Sequence, residues 1–147
     1  MANTSGFSIV ELVVTLGLAS ALAGISILSH NALRPSLDLT TATRQIVMDL
    51  QAARMRAVAR NTNHRIVFSA GAGSYRLQRQ SGSAYDDEGA PIALPSGITI
   101  LDCTAQNAAI SFRPRGNAGT FGTVTLRNTE GATRSVVVNI TGQVRVP

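Results

Sequence analysis

Glu11 is the first ionisable side chain of this 147-residue chain and the only formal charge before Arg34. A carboxylate held in an apolar helix costs ~2.5–3.5 kcal/mol at the middle of a bilayer and less near its interface, so it marks a function and requires a partner. Other side chains able to do chemistry are few. Cys103 is the single cysteine, which excludes an internal disulfide and a cysteine-based zinc cluster. Its neighbours are strand-like, and it reads as a small buried residue. His30 and His64 each lack a second histidine at ligand spacing and read as structural or interfacial. Asp86-Asp87-Glu88 lacks the alternating ligand spacing of a calcium loop and reads as a solvated acidic segment. Gly71-Ala72-Gly73 lacks the Gly-Lys-Ser/Thr ending of a phosphate loop. These residues make no active site, and the chain is expected to be non-enzymatic, with no metal and no cofactor.

The 13 basic residues are all arginine, against 8 acidic ones, for a net charge of +5. Arginine is the side chain that grips phosphate or carboxylate in bidentate fashion. Arg44, Arg54, Arg56, Arg60, Arg65, Arg76 and Arg79 follow one another with Asp49 alone opposing them, a local excess of +6. Two readings stay open: a surface that attracts DNA through its phosphates, or a solvated helix face that pairs with carboxylates of other chains. Charge balance alone names no partner, and the second reading is preferred. Arg113, Arg115 and Arg145 carry the same two readings, with loop positions favouring binding. Aromatic residues are 4% of the chain with no Trp, which argues against a base-stacking surface.

The elements that must position these groups follow from hydrophobic spacing. Phe7–Leu28 is a run of 22 residues whose one charge is Glu11. As a helix it covers ~33 Å, enough to cross a bilayer. A buried core helix fits poorly, because the run is apolar on every face and so small a domain cannot surround it. A secretory signal peptide is supported by Ala21-Leu22-Ala23, a small-x-small site, but Met1–Gly6 carries no basic residue. A membrane anchor in which Glu11 has a purpose is the third reading. Beyond it, Pro35 is expected to kink the helix or end a turn. Ser36 or Asp38 would then favour a second helical stretch. Ala42, Ile46, Leu50, Ala53 and Ala57 recur at three- and four-residue intervals, the stripe of an amphipathic helix lying on a sheet and running to about Arg60. Asn61-Thr62-Asn63 stops it.

After Asn63 the period becomes two. Strands are expected at His64–Ser69 and Ser74–Gln80, joined by the hairpin connection Ala70–Gly73. Ser81–Gly97 reads as a long surface loop. Further strands are expected at Ile98–Leu101, Ala109–Arg113, Thr123–Asn128 and Arg134–Ile140, the last two around the turn Thr129–Ala132, before a short ending at Val144–Pro147. The fold class is α+β: a long N-terminal helix packed on a mostly antiparallel β-sheet.

Gly6-Phe7-Ser8-Ile9-Val10-Glu11-Leu12 resembles the prepilin processing motif of type IV pilins and type II secretion pseudopilins. The resemblance implies a leader peptide over residues 1–6 and a cut between Gly6 and Phe7 by a prepilin peptidase, with N-methylation of Phe7. Glu11 then becomes the fifth residue of the mature chain and meets the N-terminal amine of a neighbouring subunit. Pairing opposite charges at one depth removes much of the desolvation penalty. Residues 7–34 would form the transmembrane and assembly helix, and residues 35–147 a periplasmic pilin-like domain. The implied location is the bacterial inner membrane, then a filament, with other major and minor pilins or pseudopilins as partners.

Within that superfamily, Phe112-Arg113-Pro114-Arg115-Gly116, Gly122–Leu126, Arg134–Val138 and Thr141–Val146 resemble the GspH/FimT group of minor pilins and pseudopilins. The implied function is a minor subunit of a type IV pilus or type II secretion pseudopilus, near the filament tip. Some FimT-type members bind DNA in natural transformation through a C-terminal glycine–arginine–any–arginine motif. The matching stretch is Gly142-Gln143-Val144-Arg145, with glutamine at the first arginine position. Arg113, Arg115 and Arg145 are the candidate DNA-binding residues of that alternative.

Overall fold

The computed structural model describes residues 8–147, and for residues 23–33 the backbone only. Gly6 and Phe7, the expected leader and the side chain of His30 lie outside the described residues. Two compact units are present, Met1–Arg34 and Pro35–Pro147.

A single helix, α1 (Ile9–Ala59), carries Pro35 within it. No new helix starts at Ser36 or Asp38, so neither caps one. Hydroxyls in this stretch turn back onto carbonyls of the same helix instead: Thr40 donates to the Ser36 carbonyl at 2.9 Å and Thr43 to that of Leu39 at 2.7 Å. Among the described residues no helix is long and apolar enough to cross a membrane; the expected span, 7–34, includes side chains outside that set. The helix ends in a left-handed cap. Asn61 takes φ +49°, and the Thr62 amide reaches the Ala57 carbonyl at 3.2 Å, which satisfies a terminal acceptor that would otherwise be orphaned.

Ten strands follow: β1 (His64–Phe68), β2 (Ser74–Ser81), β3 (Ala84–Asp87), β4 (Ile92–Ala93), β5 (Thr99–Cys103), β6 (Ala109–Phe112), β7 (Ala118–Thr120), β8 (Gly122–Arg127), β9 (Thr133–Val138) and β10 (Val144–Arg145). They form two sheets rather than one, with order β3-β2-β1-β6-β7 (β4 also pairing with β2) and β10-β9-β8-β5. Every pairing is antiparallel. Within the second unit, Ala42, Ile46, Leu50, Ala53 and Ala57 of α1 are fully buried. They share one core with Ile66, Phe68, Ile110 and Phe112 of the first sheet and Ile100, Val124, Leu126, Val136 and Val138 of the second.

Ser81–Gly97 is not a loop throughout, since β3 and β4 lie inside it and extend the first sheet along β2. Tertiary contacts decide this: the Arg65 guanidinium stacks 3.8 Å over the Tyr85 ring, and Ile92 packs on the core beside Tyr75, its partner in register. Strand β7 has the pattern-free sequence Ala-Gly-Thr. Thr120 holds it in place, donating to the Ala109 carbonyl at 2.6 Å and exchanging bonds with Ser111.

The turns after β6 and β9 press against each other. Gly142 has φ +79°, and a Cβ there would overlap the Gly116 carbonyl oxygen and stand 3.4 Å from the Ala118 nitrogen; Gly131 has φ +85° with open space around it. Gly131→Ala therefore costs only the left-handed backbone penalty of about 1–2 kcal/mol. Gly142→Ala adds a backbone collision, for a loss of about 3 kcal/mol or more. Urea unfolding of the two variants checks this, and equal midpoint shifts would refute the contact.

Candidate functional site

Glu11 lies in the first turn of α1, where a carboxylate suits the positive end of the helix dipole. It is exposed, as are Ile9, Val10, Leu12, Val13, Val14, Leu16, Leu18 and Leu22 around it. Residues 8–22 of the first unit thus carry a largely apolar helix surface with one carboxylate on it.

The candidate arginines fall in two places. Arg113 and Arg115 sit exposed on the β6–β7 turn, which closes through the Gly116 amide to the Arg113 carbonyl at 2.8 Å. Sequence reasoning did not link a third arginine to this turn. Arg54, on α1, donates its Nε to the Gly116 carbonyl at 2.7 Å, clasping the turn to the helix. Two grooves meet at Arg115. One, of about 320 Å³, is lined by Asn61, Asn63, Arg113, Pro114, Arg115 and Asn117. The other, of about 380 Å³, is lined by Arg54, Met55, Val58, Ala59, Arg115 and Gly116. Neither contains a carboxylate. Arg145 lies apart on β10 of the second sheet. Its Nη2 donates to the Gln143 side-chain oxygen at 2.9 Å, so the glutamine in place of the first motif arginine accepts a bond from the second.

Most of the basic run is engaged within the domain. Arg76 donates to Asp87 at 2.7 Å and Arg65 to Gln78 at 2.7 Å. The Asp87 carboxyl sits below the usual range because Gln78 and then Arg76 hydrogen-bond its charged form. Arg60 donates to Glu88, and Arg56 lies 4.0 Å from the same carboxylate. Within the acidic segment Glu88 is therefore an internal partner of the arginines, Asp87 pairs with Arg76 at the surface, and Asp86 is exposed as expected. His64, fully buried at the start of β1, has Nδ1 2.9 Å from the Thr62 carbonyl and Nε2 3.4 Å from Glu88 Oε2. Burial pushes the Glu88 carboxyl up, but the Arg60 hydrogen bond, the Arg60 charge and the nearby His64 and Arg56 outweigh it and hold the group below its ordinary value. On the opposite stretch of the helix, Tyr75 donates its hydroxyl to Asp49 and accepts from Gln45 at 3.2 Å. Burial, then Asp49, raises the Tyr75 hydroxyl well above the usual phenol range. Cys103 is half-buried, and burial likewise pushes its thiol up, away from the reactive thiolate. Among the described residues no group of three His, Cys, Asp or Glu side chains could hold a metal ion.

In the second unit a helix packed on antiparallel sheets gives the α+β arrangement expected of a pilin-like domain. The family model of the type II transport protein GspH matches residues 42–142, more than two thirds of the chain. This chain belongs to the GspH family. Its relatives by fold include the minor pseudopilin EpsH of the Type 2 Secretion System of Vibrio cholerae. That likeness has a TM-score of 0.63 at 10% identity, over 75% of this chain and 96% of that one. The type IV minor pilin FimU of Pseudomonas aeruginosa PAO1 has a TM-score of 0.58 at 14% identity, over 74% of this chain and 92% of FimU. No curated protein matches the sequence. The two solved structures share the α+β, pilin-like fold of this chain. The matched residues begin after Glu11 and end at Gly142, so they take in the Arg54–Arg115 grooves.

The Glu88 cluster has a pH signature. Its folded-state carboxyl lies below the unfolded value near 4.5. Its contribution is therefore complete above that pH and disappears as pH falls through the lowered value. Glu88→Gln should cost about 1 kcal/mol at pH 7, because the arginine partners are half-exposed. In urea unfolding the gap between wild type and variant should close as pH drops below about 4. A gap constant from pH 7 to pH 3 would show that the charge of Glu88 is not what stabilises the cluster.

Proposed function

We propose that this chain is a minor pilin or pseudopilin that is anchored in the inner membrane and then taken into a type IV pilus or type II secretion pseudopilus near its tip. Residues 1–6 are the leader, residues 7–34 the transmembrane and assembly helix, and residues 35–147 the periplasmic domain. A prepilin peptidase cuts between Gly6 and Phe7, and Phe7 is N-methylated.

The observation that carries this reading is the bare apolar surface of α1 from Ile9 to Leu22, with Glu11 as its one charge. A helix apolar on all sides has no stable place in water. Lipid covers it first and the helices of other pilin subunits cover it afterwards. In both settings Glu11 needs a counter-charge, and the amine created at Phe7 of a neighbouring subunit supplies one at the same depth. The likeness to a minor pseudopilin and a minor pilin supports the same reading.

A second reading, DNA capture, draws support from Arg113 and Arg115 on one exposed turn beside Asn61 and Asn63, with no carboxylate in the groove. It predicts that the unit Pro35–Pro147 shifts duplex DNA at low salt. The shift should weaken steeply as salt rises, and Arg115→Ala and Arg145→Ala should each diminish it. Absence of a shift at low salt, where phosphate attraction is strongest, eliminates this reading.

For the subunit reading, the chain extracted from membranes should begin at N-methyl-Phe7. Glu11→Gln should leave cleavage intact and lower incorporation into filaments at least tenfold. A different N-terminus, or undiminished incorporation of the variant, overturns it.

A further inference from the structure

The second half of α1 has two apolar faces, and the domain covers only one. Leu37, Met48, Met55 and Val58 are 61%, 61%, 65% and 52% exposed. At ~100° per residue, Met48 and Met55 stand within ~20° of Leu37, and Val58 lies ~60° to one side. The buried stripe from Leu39 to Ala57 occupies the opposite side. The exposed ridge runs ~30 Å along the helix. Such a row, half of it adaptable thioether side chains, suits a partner surface more than it suits water.

The charge around the ridge is of one sign. Arg44 lies exposed between Leu37 and Met48 on the same face. Arg54 and Arg115 flank Met55 and Val58 in the groove of about 380 Å³. From Pro35 to Ala59 the helix carries two carboxylates, Asp38 and Asp49. Asp49 accepts the Tyr75 hydroxyl, and Asp38 stands ~100° round the helix from Leu37. A second copy of this chain docked ridge to ridge would set arginine against arginine. Duplex DNA would meet the guanidinium groups but would leave Leu37, Met48 and Met55 without apolar partners.

We infer that the Leu37–Met48–Met55–Val58 ridge, with Arg44, Arg54 and Arg115, is the docking face for an acidic amphipathic helix of a different subunit. The inference rests on the subunit reading and deepens it by stating the chemistry of the neighbour. The partner lays an apolar seam along the ridge, and its flanking carboxylates meet the three arginines. Charge then sets which subunit docks, and apolar burial holds it there.

The test uses the full chain in phosphatidylcholine nanodiscs and two synthetic helical peptides. Both peptides carry a three-heptad leucine seam; one is flanked by glutamates, the other by lysines. The glutamate peptide should bind at least tenfold more tightly than its lysine twin. Met48→Asp with Met55→Asp should weaken it at least tenfold while thermal unfolding stays unchanged, because both side chains are exposed. Arg44→Glu with Arg115→Glu should invert the preference between the twins. Equal binding of the twins, binding unaffected by the methionine variants, displacement of the peptide by duplex DNA, or self-association of the chain through the ridge would each overturn the inference. Phe7 processing and Glu11-dependent incorporation are read separately, so failure here is distinguishable from failure of the subunit reading.

Discussion

A domain this small can enclose only one side of a helix, and the arrangement of this protein depends on that limit. In the second unit, Ala42, Ile46, Leu50, Ala53 and Ala57 of α1 are withdrawn fully from solvent. Three of the five are alanine, which lets strands approach the helix closely and leaves volume for Phe68, Tyr75 and Phe112 of the facing sheet. The enclosed stripe is a few residues wide. Apolar side chains elsewhere on this part of the helix, Leu37, Met48, Met55 and Val58, stay exposed. The Leu37–Val58 ridge is a consequence of that limited covering surface.

Polar contacts at the margins of the core fix how the helix lies on the sheets of its unit. Gln45 and Asp49 meet Tyr75 and the Ala93 carbonyl toward one end of the buried stripe. Arg54 holds the β6–β7 turn, and Arg56 and Arg60 hold Glu88 at the other end. These bonds have exposed or half-exposed partners, so each is worth little in net stability. Their effect is on register, since a slide of one helical turn would break all of them together. They also account for much of the positive charge. Many arginines that look like an unbalanced excess along the chain have carbonyl, carboxylate, amide and aromatic partners in the fold, while Arg44, Arg79, Arg113 and Arg115 are among those facing outward.

The two sheets are joined by short backbone bridges. The hairpin between β1 and β2 exchanges bonds with β5, Gly71 to the Ile100 carbonyl at 2.8 Å and Ile100 to the Ala72 carbonyl at 2.9 Å. At the other end, Ala118 of β7 donates to the Ile140 carbonyl beyond β9. This second bridge places the turn containing Gly142 against the turn containing Gly116, with Arg54 beside both. The groove on which Arg115 projects therefore exists because two sheets and a helix end close on the same pair of glycines.

Wherever a pattern is local and periodic, it was legible in the residues. The three- and four-residue spacing of Ala42 to Ala57 specifies the buried face of α1, because a helix repeats every 3.6 residues whatever lies against it. Alternation specifies β1, β2, β8 and β9, and Asn61 marks the helix end because its side chain tolerates a left-handed backbone. The α+β class was readable for the same reason, and the family through the short segments Gly6–Leu12, Phe112–Gly116 and Arg134–Val138 that resemble it. Tertiary structure alone decided the rest. Strands β3 and β7 pair with the strand just before them, and β4 pairs with β2 across the intervening β3, but segments as short as Ala-Gly-Thr or Ile-Ala carry no period of their own. The division into two sheets, the pairing of Glu88 with Arg56 and Arg60, and the grouping of Arg54 with Arg115 depend on separations of 28 to 62 residues in sequence. Local periodicity cannot report which distant groups meet, because that is settled by how the covered faces pack.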